Sequence, residues 1–353
     1  MSKAMRIMFD GIIYSLQARG GITTYTNNLL SSLIKVNSKL EISILVHQPL
    51  LQAVLLPSNI HRIFVKEKSL IRKWKTKLAQ NNSQIFHSSY YTHSDTFQGP
   101  QVVTVYDLIY ELLPEYFPRT KETIEFLTQK QTSIIKADAI ICISETSKAD
   151  LKRIYDLDDK KIHVVPLGVD NMVFKPGVQQ VCNKITYVGS RAKYKNFAKL
   201  IEAFSKWRNS KEYKLTIVGQ PLTSQEKSLL DDFAVLNYEL IDNPSENQLV
   251  GIYRDSHAVV LPSFYEGFGL PLLESAATGT LVIASDIAAH REIGDDAPIY
   301  FSPKSVDSLV HALETSLDIR IRSEHIDLGL AQAKKYSWRK TATETLKIYE
   351  SLT

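Results

Sequence analysis

An alternation that runs the length of the chain, and restarts once, constrains the fold more than any other feature. RIMF, EISILVH, HRIFV, QIFHS, QVVTV, AIICIS and KIHVVPL are short, β-branched and almost continuously apolar. Strands buried on both faces of a parallel sheet have this character. Helical patterns lie between several of them. After Gly20–Gly21, residues Ile22, Tyr25, Leu29, Leu30 and Leu33 follow a 3.6-residue period, with Thr23 or Thr24 as the expected cap. NMVFKPGVQQVCN then reads as a linker broken by Pro176 and Gly177. Beyond it KITYVGS, KLTIVGQ, AVVLPS, LVIAS and PIYFSP begin the pattern again. The expected architecture is α/β: two Rossmann-like domains in tandem across a cleft, at 1–175 and 176–337, with a C-terminal helix at 338–353 packing back on the first. A chain of 353 residues suits two cores better than one.

In such sheets ligands bind beyond the carboxyl ends of the strands. FYEGFGLPLLE, residues 264–274, occupies that kind of position. Pro271 suits a helix start, where its missing N–H leaves nothing unpaired. Gly279 suits the helix end. Gly267 and Gly269 let backbone N–H groups approach an anion at the helix N-terminus. Glu274 and Glu266 offer carboxylates to vicinal hydroxyls, or simply complement the helix dipole.

This Glu-x7-Glu, in AVVLPSFYEGFGLPLLESAATGTLVIASD, resembles the signature of family 4 glycosyltransferases, retaining enzymes of the GT-B fold. The resemblance spans almost the whole chain: ARGGITTYTNNLL, VVTVYDLIYELLPEYF, ICISETSKADL, PLGVD, VGSRAKYKNF and the terminal YSW…IY. It implies a role for each matching position. Gly21 would lie on a loop that approaches the donor phosphates. Arg191 and Lys195 would hold the pyrophosphate, where a leaving nucleoside diphosphate gathers charge. Glu266 would contact the donor sugar and Glu274 the ribose. The backbone of Phe268, Gly269 and Leu270 would meet sugar and phosphate. Many relatives have His-Asp where this chain has Tyr106–Asp107. Tyr106 stays with Glu266 and Asp107 among the catalytic candidates, because it can still donate a hydrogen bond, but a tyrosine with its ordinary pKa near ~10 carries no positive charge there, so a histidine-based account of catalysis is weakened. Asp107 is either catalytic or a turn cap.

The resemblance implies front-face transfer of a hexose from a GDP- or UDP-linked sugar to a glycan or lipid-linked acceptor, as in O-antigen and other polysaccharide mannosyltransferases. No cofactor and no metal are expected, because fixed cations take the metal's electrostatic part. His87 and His93 read as core or loop histidines. Two alternatives share the architecture: a sugar-nucleotide epimerase, which needs no acceptor, and a non-catalytic nucleotide-sugar-binding protein.

Charge is uneven. Residues 1–175 hold 22 Lys+Arg and 16 Asp+Glu, while 1–93 alone hold 12 and 3. The focus is VKEKSLIRKWKTKLAQ, where Lys66, Lys68, Arg72, Lys73, Lys75 and Lys77 surround Leu70, Ile71, Trp74 and Leu78. Residues 66–78 suit either an ordinary packed helix with a solvated basic face or a helix lying on an anionic membrane. Nucleic acid is not an expected partner, because the basic charge is confined and the aromatics form no stacking series. Without a signal-like N-terminus or an apolar span, the expected location is the cytoplasm, with peripheral membrane contact as the option that 66–78 leaves open. Cys142 and Cys182 read as packing residues of a reducing compartment.

Overall fold

The structure is a computed structural model that describes residues 4–48, 50, 51, 56–66, 82–177 and 183–353. The basic stretch 67–81 and Cys182 therefore lie outside the described residues. The chain forms two compact units, Met1–Gly168 with Trp338–Thr353, and Val169–Ser337. The division falls at Gly168, ahead of the Pro176–Gly177 breaker, because residues 169–175 bond into the second unit. Asn171 Nδ2 donates to Tyr336 O (3.3 Å), and the Arg254 guanidinium donates to Lys175 O from Nε (2.9 Å) and Nη2 (2.5 Å).

In the first unit β1 (Arg6–Asp10), β2 (Glu41–Gln48), β3 (His61–Lys66), β4 (Ile85–Ser88), β5 (Gln101–Val105), β6 (Ala139–Cys142) and β7 (Ile162–Val164) form one sheet in the order β3-β2-β1-β4-β5-β6-β7. Every pairing is parallel, with Met8 opposite Ser43 on one side and Phe86 on the other. The seven apolar runs read from the sequence correspond to these strands. Helix Gly21–Val36 buries Tyr25, Leu29, Leu30 and Leu33 as its period requires. Its start differs from expectation, since neither Thr23 nor Thr24 caps it. Gly20 (φ 157°) precedes it, and the Gln17 side chain folds across the turn, its Oε1 accepting from Thr23 N (3.4 Å) and Oγ1 (3.2 Å). A Cβ on Gly20 would lie 2.3 Å from Gln17 Nε2, so another residue there would push that side chain off the turn.

Helix Trp338–Leu352 packs on this first unit. Trp338 meets Tyr25 (6.3 Å between ring centres), and Thr341 Oγ1 donates to Pro166 O (2.8 Å). Tyr349, fully buried, meets His87 Nδ1 at 2.5 Å, and His87 Nε2 meets Thr104 Oγ1 at 2.9 Å. His87 is thus a core residue. His93 and Cys142 are buried as well.

The second unit contains β8 (Lys184–Val188), β9 (Lys214–Val218), β10 (Tyr238–Ile241), β11 (Ala258–Leu261), β12 (Leu281–Ser285) and β13 (Ile299–Phe301) in the order β10-β9-β8-β11-β12-β13, again all parallel. Its core gathers Ile185, Leu215, Ile217, Val260 and Ile283 with Phe204 and Trp207. The sequence pattern missed β10. This edge strand is half-buried throughout, and its Glu239 faces Lys184 (3.4 Å) and Lys214 (3.6 Å). Charge on an edge discourages further pairing and also breaks the apolar run by which buried strands are read.

The His87–Tyr349 contact joins chain segments 262 positions apart within the buried core. Burial pushes the imidazole down to about 3, so it stays neutral and needs both partners. Tyr349→Phe leaves one ring nitrogen unpaired and is expected to cost about 1–3 kcal/mol, read as a lower denaturation midpoint of the first unit.

Candidate functional site

In the second sheet the chain runs from β8 outward through β9 and β10, and in the opposite direction through β11, β12 and β13. The loops that leave the carboxyl ends of β8 and β11 therefore diverge, which opens a crevice at the switch point. Both loops carry the residues singled out in the sequence. Asn196 joins them. It adopts the left-handed conformation (φ 58°) that asparagine tolerates better than most residues. Its Nδ2 donates to Pro262 O and Pro303 O (3.0 Å each). Phe264 N also donates to Tyr194 O (2.8 Å).

Across this junction Lys195 Nζ meets both oxygens of Glu266, at 2.7 and 2.8 Å, and Ser263 Oγ donates to Oε1 at 2.7 Å. The two side chains are only 22% and 18% exposed. Burial raises the Glu266 carboxyl, but the charge of Lys195 and the bonds from Lys195 and Ser263 outweigh it, so its pKa lies below the ordinary value. Glu266 is therefore a fixed carboxylate.

Gly269 follows, in the left-handed region (φ 110°) directly before helix Leu270–Ala277, with Pro271 in the first turn. Gly279 (φ 76°) lies just past its end. N–H groups of the first turn have no partner within a helix, and they favour negative charge. Phe268 is buried edge-on to Tyr336 (5.9 Å between ring centres), and Leu270 is buried. Glu274, further along the helix, is half-buried and accepts from Tyr253 Oη (2.9 Å). Burial pushes its carboxyl up to about 7, against the tyrosine bond and with help from Glu246.

Arg191 is held differently. Its Nε donates to Glu226 Oε1 (2.7 Å), and its Nη2 donates to Gln220 O (2.7 Å) and Pro221 O (2.9 Å). Nη1 is buried without a partner. Glu226 also closes a capping box with Thr223, so Arg191 is anchored to the loop after β9. Of its nitrogens, Nη1 is the one left for an anion.

The residues singled out in the first unit each make packing or turn contacts within it. Tyr106 is buried, with its Oη donating to Ser89 O (2.7 Å) and its ring edge-on to Tyr25 (5.5 Å between ring centres). Burial, and then Tyr25, raise its pKa well above the ordinary value, so it is a neutral hydroxyl already engaged. Asp107 Oδ1 caps a turn at Ile109 N (3.2 Å), and its carbonyl accepts from the buried Lys130 (2.8 Å). Gly21 opens the Gly21–Val36 helix. An Asp-x-Asp occurs at Asp156–Leu157–Asp158, before β7, where Asp158 caps a short turn by accepting from Lys160 N (3.0 Å). No cluster of three metal-ligating side chains gathers among the described residues.

Comparison with known proteins decides the family. The family described as Glycosyltransferase Family 4 matches residues 19–171, and that described as Glycosyl transferases group 1 matches residues 169–327. O-antigen chain mannosyltransferase B of Escherichia coli is 24% identical, over 75% of each chain. Sucrose-phosphate synthase from Thermosynechococcus elongatus superposes with a TM-score of 0.81, over 99% of each chain at 16% identity. HepE of Anabaena, solved with UDP and glucose, superposes with a TM-score of 0.74, over 99% of this chain and 100% of its own, at 11% identity. These last two likenesses are of fold, and the fold is GT-B.

The chain belongs to the family 4 glycosyltransferases.

As a member of that family it is a hexosyltransferase. Sequence reasoning singled out Glu266, Lys195 and Glu274 but missed the groups that hold them. Ser263, Asn196, Tyr253 and Glu226 carry no motif signal of their own, and only the tertiary structure brings them into contact. Within the second unit Lys195 and Glu266 meet directly, whereas Arg191 and Glu274 are each tied to a different partner.

The Glu274 carboxyl yields a sign-specific prediction. Its folded pKa is raised, so between about 4.5 and 7 the folded glycosyltransferase holds a proton that the unfolded chain has lost. Stability therefore falls as pH rises through that window. Glu274→Gln is expected to raise the unfolding free energy at pH 8 by on the order of 2 kcal/mol, after discounting for the water that reaches the carboxyl, and to leave it unchanged at pH 4.5. Melting curves of both forms at the two pH values check it. A variant less stable than the parent at pH 8 would refute it.

Proposed function

We propose that this glycosyltransferase moves a mannosyl residue, with retention, from a nucleoside-diphosphate mannose to a hydroxyl of a glycan or lipid-linked acceptor in polysaccharide biosynthesis. The observation that carries the reading is the Lys195–Glu266 pair beside Gly269 at the switch point. One carboxylate held ionised, one cation and one helix N-terminus offer a sugar and a diphosphate complementary groups within one crevice. The likeness to O-antigen chain mannosyltransferase B supports mannose, and hence GDP as the nucleotide. The UDP in the HepE structure keeps UDP-hexoses as the second donor class.

In the proposed reaction the bond from sugar C1 to the β-phosphate oxygen breaks as the acceptor oxygen bonds to C1 from the same face. The departing phosphate takes the acceptor's hydroxyl proton and leaves with the bonding electron pair. Lys195 and the helix N-terminus stabilise the charge gathering on that phosphate. Glu266, whose two oxygens already accept from Lys195 and Ser263, orients sugar hydroxyls and forms no covalent bond. Glu274, when ionised, receives ribose hydroxyls. No metal enters the scheme, because fixed cations supply the positive charge.

A panel of GDP-, UDP- and ADP-sugars, scored by thermal shift and by slow donor hydrolysis in EDTA, tests the reading. One donor is expected to raise the melting temperature and to be hydrolysed at a rate EDTA leaves unchanged, with no glycosyl adduct on Glu266 by mass spectrometry. Lys195→Ala is expected to lower hydrolysis roughly 100-fold or more. Stabilisation by none of them, or a product released from donor alone as an isomerised sugar nucleotide, would overturn it.

The lipid-linked form of the acceptor brings residues 66–78 into the proposal as a peripheral contact with an anionic membrane. Replacing Lys68, Arg72, Lys73, Lys75 and Lys77 with glutamate is then expected to abolish co-sedimentation with phosphatidylglycerol vesicles at low salt. Unchanged sedimentation would remove the membrane from the proposal.

A further inference from the structure

One more buried titratable side chain lies within electrostatic reach of the Lys195–Glu266 pair. His290 lies in helix Ala288–Gly294, just past the end of β12, and is 1% exposed. Its ring orientation is fixed from below. Nδ1 lies 3.0 Å from Ser285 O and 3.1 Å from Ser285 Oγ. A carbonyl only accepts, so Nδ1 carries the proton. The Ser285 hydroxyl is itself committed, donating to Ser263 O at 2.6 Å. The neutral ring then presents Nε2 as a bare acceptor, and Nε2 has no hydrogen-bond partner among the described residues.

The Cδ2–Nε2 edge faces the turn that begins the helix after the pair. A Cβ built on Gly269 would lie 3.5 Å from Cδ2 and 3.9 Å from Nε2. Glu266 and Lys195 both lie within electrostatic reach of the ring. Burial lowers the imidazole pKa, against the raising influence of Glu266 and the Ser285 carbonyl. The ring is therefore neutral at neutral pH. A neutral lone pair repels a phosphate oxygen and welcomes an O–H donor, which separates sugar from phosphate as the group it can contact.

We propose that His290 is a specificity-determining residue that reads one hydroxyl of the donor sugar, its Nε2 accepting from that O–H beside Gly269 while Glu266 accepts from another. This rests on the nucleotide-sugar reading above and adds a second acceptor to the sugar subsite. Ser263 and Ser285 link the two acceptors, since one serine bonds Glu266 and the other bonds both His290 and Ser263. The spacing of the two acceptors is thereby fixed, and fixed spacing selects among sugars that differ in hydroxyl placement.

Two substitutions separate reading from mere support. Asn at 290 keeps a donor where Nδ1 stands, and so keeps the Ser285 bond, but has no atom at Nε2. Gln at 290 restores an acceptor near Nε2. The probes are GDP-mannose, or whichever UDP-hexose the donor panel selects, and its monodeoxy analogues, compared by kcat/KM. The wild-type enzyme is expected to disfavour one monodeoxy donor by roughly 10- to 100-fold. His290→Asn is expected to bring that one ratio towards unity while the other analogues keep theirs, and His290→Gln to restore part of it. A uniform loss on every donor in His290→Asn, or unchanged discrimination, would show that His290 only supports the loop and would overturn the proposal. Inactivity of the wild-type enzyme on every donor is a different outcome. It overturns the transferase reading, and this one with it.

Discussion

The reversal of strand order beside β8 is the constraint on which the rest of the site depends. Elsewhere in a parallel sheet each strand's exit loop is covered by its neighbour's crossover. At the reversal the two crossovers leave in opposite directions, so neither of them covers the gap. Polar backbone and charged side chains can stand there without displacing core. Lys195 reaches the gap from the β8 side, and Glu266 and Gly269 reach it from the β11 side. Asn196 fixes the two rims to each other by donating to Pro262 and Pro303 carbonyls. A left-handed asparagine does this economically, because its side chain follows the backbone turn that already exists.

The two glutamates that first drew attention are chemically unlike, and their surroundings make them so. Both are withdrawn from water, which favours the neutral acid. Glu266 has a lysine ammonium against both oxygens and a serine hydroxyl on one, so it remains ionised. Glu274 has a tyrosine hydroxyl and, further off, another carboxylate, so its proton is lost only near pH 7. A buried ion pair contributes little net stability. In the proposed reaction Lys195 and Glu266 are groups kept charged for the donor, at some cost to the fold.

What the sequence revealed, and what it hid, follows from the range of each interaction. The apolar runs that became the central strands report burial on both faces, a property of each residue's own neighbourhood; the edge strand β3 was read from the same pattern although its Phe64 is 58% exposed. Pro271 and Gly279 were legible because helix ends have local chemistry. Glu266 and Lys195 were legible as a family pattern, but their bidentate contact was not, since 71 positions separate them. Arg191 was legible as a family cation, but its anchoring was not. Its partner Glu226 belongs to the helix after β9, and nothing local to VGSRAKYKNF announces it. Tyr106 stood where relatives carry a histidine, which made it look chemical. In the structure its hydroxyl is engaged by Ser89 and its ring by Tyr25. Gln17 replaced the expected threonine cap because a side chain from the preceding turn folded back, an arrangement with no sequence period at all.

In the proposed reaction the free-state pairing of Lys195 with Glu266 has a consequence for rate. A cation neutralised by a carboxylate attracts a ground-state diphosphate only weakly, because that charge is already shared. As the bond to C1 breaks, negative charge moves onto the leaving phosphate, and its pull on Lys195 grows while that of Glu266 does not. The difference between the two states is what lowers a barrier; equal binding of both does not. Glu266 gains in the same step, since an oxocarbenium-like sugar is positive where the carboxylate is negative. A pair that holds itself together before the donor arrives is thus drawn apart towards opposite charges as the reaction proceeds, one partner to each side of the breaking bond.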